Sequence, residues 1–142
     1  MTTYPFTHRI PIRYGECDQQ GVVFNANYLA FVDDAMDHWM RSLGGTPWTS
    51  EWDVMLKAAR LTWHGPARWP DVLGVDCGVT RWGRTSFDVL FRLRVDDRAV
   101  ADVLVTYVSV TVSTHEPVPP PDLVVRSLGE PVPLPASFGP GR

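Results

Sequence analysis

The sequence predicts an α+β fold in which one long helix lies against a mainly antiparallel sheet. Two observations carry this. Only one stretch, Asn25 to Leu43, repeats its apolar residues every three and four positions. From Trp52 onward the period drops to two, in consecutive runs separated by tight-turn residues. A helix and a sheet that each carry an apolar side bury those sides against one another.

Taken in order, Phe6, His8, Ile10 and Ile12 alternate with Thr7, Arg9 and Pro11 as a first strand. Pro11 has no N–H for a ladder and so belongs at an edge or a strand end. A polar loop from Gly15 to Gly21 follows. In the helix, Tyr28, Val32, Ala35, Met36, Trp39 and Leu43 share a face, with Asp33, Asp34, Asp37, His38 and Arg41 mostly off it. Asn25 or Asn27 can cap its start, and Gly44-Gly45 suits its end. Thr46-Pro47 to Glu51 reads as a further turn of helix.

Met55, Ala59, Leu61 and Trp63 then alternate on one face of a strand, with Lys57 out of pattern. Leu73, Val75, Cys77 and Val79 form the next strand, and Phe87 to Val95 the one after, joined at Trp82-Gly83-Arg84-Thr85. After a turn at Asp96-Asp97, the run from Ala99 to Val112 is apolar on both parities, as in a central strand covered on both faces. One helix covers only one face of such a sheet. The other would stay apolar and exposed in a monomer, which predicts a homo-oligomer.

Residues 1–115 are thus expected to form the domain and 116–142 a Pro-rich extension packed on it or trailing from it. Pro117, Pro119, Pro120 and Pro121 exclude regular helix or central strand locally. Leu123-Val124-Val125 is expected as a short edge strand, and the end from Phe138 as loose.

Composition excludes several classes. The 142 residues fit one domain, and 44% hydrophobic with 20% charged residues is ordinary for a globular chain. A net charge of −3 gives no electrostatic case for nucleic acid. Cys17 and Cys77 suggest neither a disulfide framework nor metal spacing. No signal peptide or membrane-spanning run is recognisable, and two unpaired-looking thiols make a cytoplasmic location, without membrane insertion, the expectation.

The chemistry concentrates between Arg13 and Tyr28. Asp18 sits in the polar loop shortly before the helix, whose first N–H groups and partial positive charge suit an oxygen that becomes negative during reaction. As a loop aspartate it could equally cap a local turn.

Arg13-Tyr14-x-x-x-Asp18-x-x-Gly21-Val22-Val23-Phe24-x-x-Asn27-Tyr28 resembles the signature of hotdog-fold acyl-CoA thioesterases, in the branch of 4-hydroxybenzoyl-CoA thioesterase and the YbgC-type enzymes. Similarity continues through Pro66 to Leu73, Val79 to Phe87 and Pro131 to Pro135. The resemblance implies a hotdog fold: one long central helix wrapped by a curved, mainly antiparallel sheet of five to six strands. It also implies a homodimer or homotetramer with active sites at the dimer interface, and an acyl-CoA substrate. It makes Asp18 the catalytic carboxylate, as nucleophile or as general base, and the Asn25 backbone N–H the oxyanion donor. A preorganised donor of that kind is worth roughly 3–4 kcal/mol. Relatives of the YbgC branch often carry His where this chain has Asn25 and Tyr where it has Phe24. Residues 116–129 read as an insertion.

Among the remaining candidates, Asn27 and Tyr28 are expected to fix the loop and line the pocket. Glu16 is expected to be structural or at the site edge. Asp33 is kept on the substrate side because the matching acid lies near the acyl pocket in some relatives. Arg81 and Arg84 flank a turn and could hold coenzyme A phosphates, or be ordinary surface arginines. Asp34 and His38 are four apart on the helix, but a divalent ion needs three or more converging ligands and the sequence supplies no third. A solvated helix face, with no metal and no other cofactor, is the expectation. A carrier-protein thioester as substrate, or acyl-CoA binding without turnover, are the alternatives.

Overall fold

The computed structural model describes residues 2–43 and 51–139. Strands β1 (Phe6–Pro11), β2 (Trp52–Trp63), β3 (Val72–Trp82), β4 (Ser86–Val95) and β5 (Arg98–Thr111) form one sheet in the order β1-β3-β4-β5-β2. All four pairings are antiparallel. Helix α1 (Asn27–Ser42) follows β1, and a second helix, α2 (Asp122–Leu128), follows β5. The expected turn of helix at Thr46 to Glu51 falls, apart from Glu51, outside the described residues.

Register explains the core. Val75 lies opposite Leu93, Cys77 opposite Phe91, and Val79 opposite Val89. Phe91 in turn lies opposite Val103, and Val89 opposite Val105. Because side chains alternate across a strand, these rows all fall on one face. There they join the buried Tyr28, Phe31, Val32, Ala35, Met36, Trp39 and Met40 of α1. Lys57 is out of pattern because the pairing of β2 with β5 shifts between Leu56 and Ala58. The extra residue switches parity, so Ala59 and Leu61 join the core while Met55, opposite Val108, does not.

Three expectations are corrected here. The sheet face away from α1 is not left bare, because the chain covers it with its own C-terminal segment. Val132 and Phe138 pack there with Leu90, Leu104 and Tyr4, and the Val132 N–H donates to the Val79 carbonyl at 2.7 Å. Phe138 is therefore buried rather than loose. Leu123 to Val125 are helical, not an edge strand, so the fold has two helices instead of one. Pro121 stops the preceding extended segment, Asp122 suits the first turn, and Val124 and Leu128, four apart, enter the α1-side core.

β1 and β2 are the sheet edges. β2 exposes Met55 at 50%, Leu56 at 46% and Trp63 at 47%. Among the described residues no helix is long and apolar enough to cross a membrane.

Candidate active site

The loop carrying Asp18 is held by its own backbone. A 3-10 turn at Tyr14–Glu16 starts it, closed by the Glu16 carboxylate accepting from the Arg13 N–H at 2.7 Å. Cys17 then bridges to Val23, and the Asp18 N–H donates to the Val22 carbonyl at 2.8 Å. Gly21 closes the excursion at φ +79°, where a Cβ would be strained. The Glu16 carbonyl accepts from both the Phe24 N–H at 3.0 Å and the Asn27 side-chain amide at 2.8 Å. That amide fastens the loop to the first residue of α1.

Within this frame Asp18 is half-buried, and its Oδ1 accepts from the Gln20 N–H at 2.8 Å. Asp18 lines a cleft of ≈ 390 Å³ with Tyr14, Cys17, Gln19, Gly21 and Trp69. Trp69, edge-on to Tyr14 at 5.9 Å, was not foreseen in this cleft. It comes to the cleft through tertiary packing, and only the Pro66 to Leu73 similarity hinted at it.

Asn25 is not among the residues lining that cleft. It lines a second, open concavity of ≈ 370 Å³ with Val22, Val23, Tyr28, Trp63 and His64. α1 starts at Asn27, two residues later than the periodicity predicts, and its N-cap residue is Ala26. Neither Asn25 nor Asn27 caps it with a side chain. The Asn27 and Tyr28 N–H groups turn back to Phe24 and Asn25 carbonyls, whereas the Asn25 N–H donates to no acceptor among the described residues. A free backbone N–H just before a helix start and beside a concavity can donate to a developing oxyanion.

Tyr28 is buried edge-on to Phe31 and Trp63. Burial raises its pKa, partly offset by a hydrogen bond to the Ala67 backbone. The Ala67 carbonyl accepts from the Val23 N–H at 2.9 Å, so this one residue braces both the loop and α1. Asp33 keeps an exposed surface, yet nearby protein displaces enough water to raise its carboxyl pKa.

The two arginines part company. Arg81 is bidentate to Asp88, at 2.9 and 3.2 Å, and also reaches Ser86 Oγ at 3.1 Å. Arg84 is exposed and makes no side-chain hydrogen bond or ion pair among the described residues, which leaves it as the available guanidinium of the two. The helix-face reading of Asp34 and His38 also changes, because β1 brings a third potential ligand, His8, against them.

The sequence matches the Thioesterase-like superfamily over residues 12–128, a span from the Asp18 loop through α2. A relative from Aquifex aeolicus (strain VF5), named "Putative esterase", is 28% identical over 101 residues, covering 68% of this chain and 78% of its own. A 1,4-dihydroxy-2-naphthoyl-CoA thioesterase from Synechocystis superposes with a TM-score of 0.75 at 19% identity, covering 87% of this chain and 94% of that one. A gentisyl-coenzyme A thioesterase does so with a TM-score of 0.73 at 18% identity, covering 87% and 98%. Five antiparallel strands around α1, joined by α2, are a hotdog-like thioesterase fold, and the chain belongs to the thioesterase-like superfamily.

Proposed function

We propose that this protein is an acyl-CoA thioesterase that hydrolyses R-CO-S-CoA to a carboxylate and free thiol. One observation carries the reading: the loop that holds a carboxylate in a cleft runs on toward α1 through Asn25, whose N–H has no acceptor among the described residues. The thioesterase names of the superposing enzymes support the reaction class.

In the general-base route, Asp18 takes a proton from water as the water oxygen bonds to the thioester carbon. In the nucleophilic route, an Asp18 oxygen forms that bond itself, and water later cleaves the anhydride. Either way the carbonyl oxygen gains negative charge, which the Asn25 N–H stabilises. The C–S bond then breaks and the thiolate leaves. No step calls on a metal or redox cofactor.

The working unit on this reading is a homo-oligomer, at least a dimer. The support is now the β2 edge rather than the sheet face. A twelve-residue edge strand with Met55, Leu56 and Trp63 exposed is a template for pairing with a second copy. Trp63 also lines the Asn25 concavity, so a partner at β2 would enclose it.

Thiol release from a panel of aromatic and aliphatic acyl-CoAs tests the assignment. The wild type is expected to cleave at least one ester faster than Asp18→Asn by about 10²-fold or more. Equal rates for every ester would sink it.

A further inference from the structure

The β1–α1 contact carries a cluster that the thioesterase reaction does not use. His8 faces the helix because its parity on β1 matches Phe6 and Ile10. Asp34 and His38 meet it because positions four apart share a helix face. His8 Nε2 is 3.0 Å from Asp34 Oδ2, and His38 Nδ1 is 3.4 Å from Asp34 Oδ1. One ligand atom from each of the three residues lies within 4.8 Å of the others. The imidazoles stack with ring centroids 4.0 Å apart.

We propose that His8, Asp34 and His38 form a surface site for a divalent transition ion of the Zn²⁺ type. Two imidazole nitrogens and one carboxylate are a borderline donor set, suited to zinc, cobalt or nickel and poorly suited to Mg²⁺ or Ca²⁺. Bonds of ~2.0–2.1 Å in tetrahedral geometry set ligand atoms ~3.3 Å apart, near the 3.0 Å from His8 to one Asp34 oxygen and the 3.4 Å from His38 to the other.

The neighbourhood favours an ion over an ordinary charge pair. Asp37, one turn along, is satisfied by Arg41 at 2.8 Å. Asp34 has no lysine or arginine partner among the described residues and faces only the two histidines. His8 is half-buried and stacked on Phe6, which itself stacks on Trp39, so that ligand is pre-positioned. His38 is exposed and adjustable. Its Nδ1 lies 2.9 Å from the Asp34 carbonyl, a hydrogen bond that coordination through this atom would replace.

Such an ion would staple the edge strand β1 to α1, so binding would stabilise the folded chain. Chelator-stripped protein is titrated with Zn²⁺ and with Co²⁺ by calorimetry and visible absorption, with thermal midpoint as a second readout. The expected result is one saturable equivalent per chain, a raised midpoint with Zn²⁺ and none with Mg²⁺. His8→Gln and His38→Ala should each weaken binding by at least about tenfold, since loss of even an outer-shell partner costs 10–100-fold. His38 is exposed, so its variant reports on binding even if His8→Gln disturbs β1. No saturable binding to the wild type, or the same affinity in His38→Ala, would show the cluster to be a hydrogen-bonded clasp and overturn the proposal.

Discussion

Val132 lies directly over Gly78, with its Cγ2 2.8 Å and its Cγ1 3.0 Å from where a Cβ on that glycine would project. The C-terminal segment can close on the sheet only because β3 is bare at that point. Gly78 is not needed for backbone freedom, since it is not among the glycines with positive φ. Gly78→Ala is therefore expected to cost about 1–3 kcal/mol through overpacking. Denaturant unfolding should give this loss, and limited proteolysis should show earlier cleavage after Glu130. An unchanged midpoint would mean that the segment gives way freely.

Asp102 ties the same segment down. It is buried at 2% exposure and accepts from Arg92 Nε at 3.0 Å and Ser137 Oγ at 2.7 Å, with His64 Nε2 also at 3.0 Å. Burial alone would raise its pKa, but the bonds from Ser137, His64 and Arg92 hold it below the ordinary carboxylate value. Asp76, bidentate to Arg94, is likewise lowered against its burial. The sign follows: each depressed carboxyl contributes stability that is complete above the unfolded value near ~3.9 and is lost as pH falls through the folded one.

Stability measured between neutral pH and strong acid should therefore decline mainly below ~4. Asp102→Asn is expected to cost about 1–3 kcal/mol at neutral pH, below the full figure for a buried pair because Arg92 and His64 are partly solvated. Its decline in acid should be shallower than the wild type's. Parallel acid curves for the two proteins would contradict this role for Asp102.

Arg81 and Arg84 should separate in kinetics. Arg84→Ala is expected to raise KM about 3–10-fold for acyl-CoA, the loss of one exposed phosphate contact. It should leave a truncated thioester lacking the adenosine phosphates unaffected. Arg81→Ala should instead lower stability, because Asp88 loses a bidentate partner. No KM change for Arg84→Ala on any CoA ester would point to a carrier-protein thioester.

The proposed self-association through β2 makes a size prediction. On a sizing column the protein should run at two or more times its 15.9 kDa chain mass. Leu56→Asp, which places a charge on the exposed edge, should shift it toward a monomer and lower thiol release together with mass. A wild-type monomer of 15.9 kDa would exclude the β2 interface.

Local pattern determined much of this protein. The period of 3.6 at Tyr28 to Trp39 and the period of 2 in β3 and β4 describe single elements, each of which carries its own apolar face. The loop from Arg13 to Tyr28 was legible for a similar reason, because Gly21 and Asp18 act within a few residues of each other. The family resemblance, carried by those same residues, also came from sequence alone.

What only the tertiary structure decided involves contacts between distant residues. The helical state of Leu123 to Val125 depends on a core that receives Val124 and Leu128, so the β-branched Val124 and Val125 alone misled. The covering of the second sheet face depends on Val132 meeting Gly78, 54 positions away. The pairing of Arg81 with Asp88 follows from the β3–β4 register, while the meeting of Trp69 with Asp18 in one cleft and the arrival of His8 at Asp34 and His38 follow from how loops and α1 pack on the sheet. Periodicity fixes which way a side chain faces along its own element; which partner it meets is set by how the elements pack.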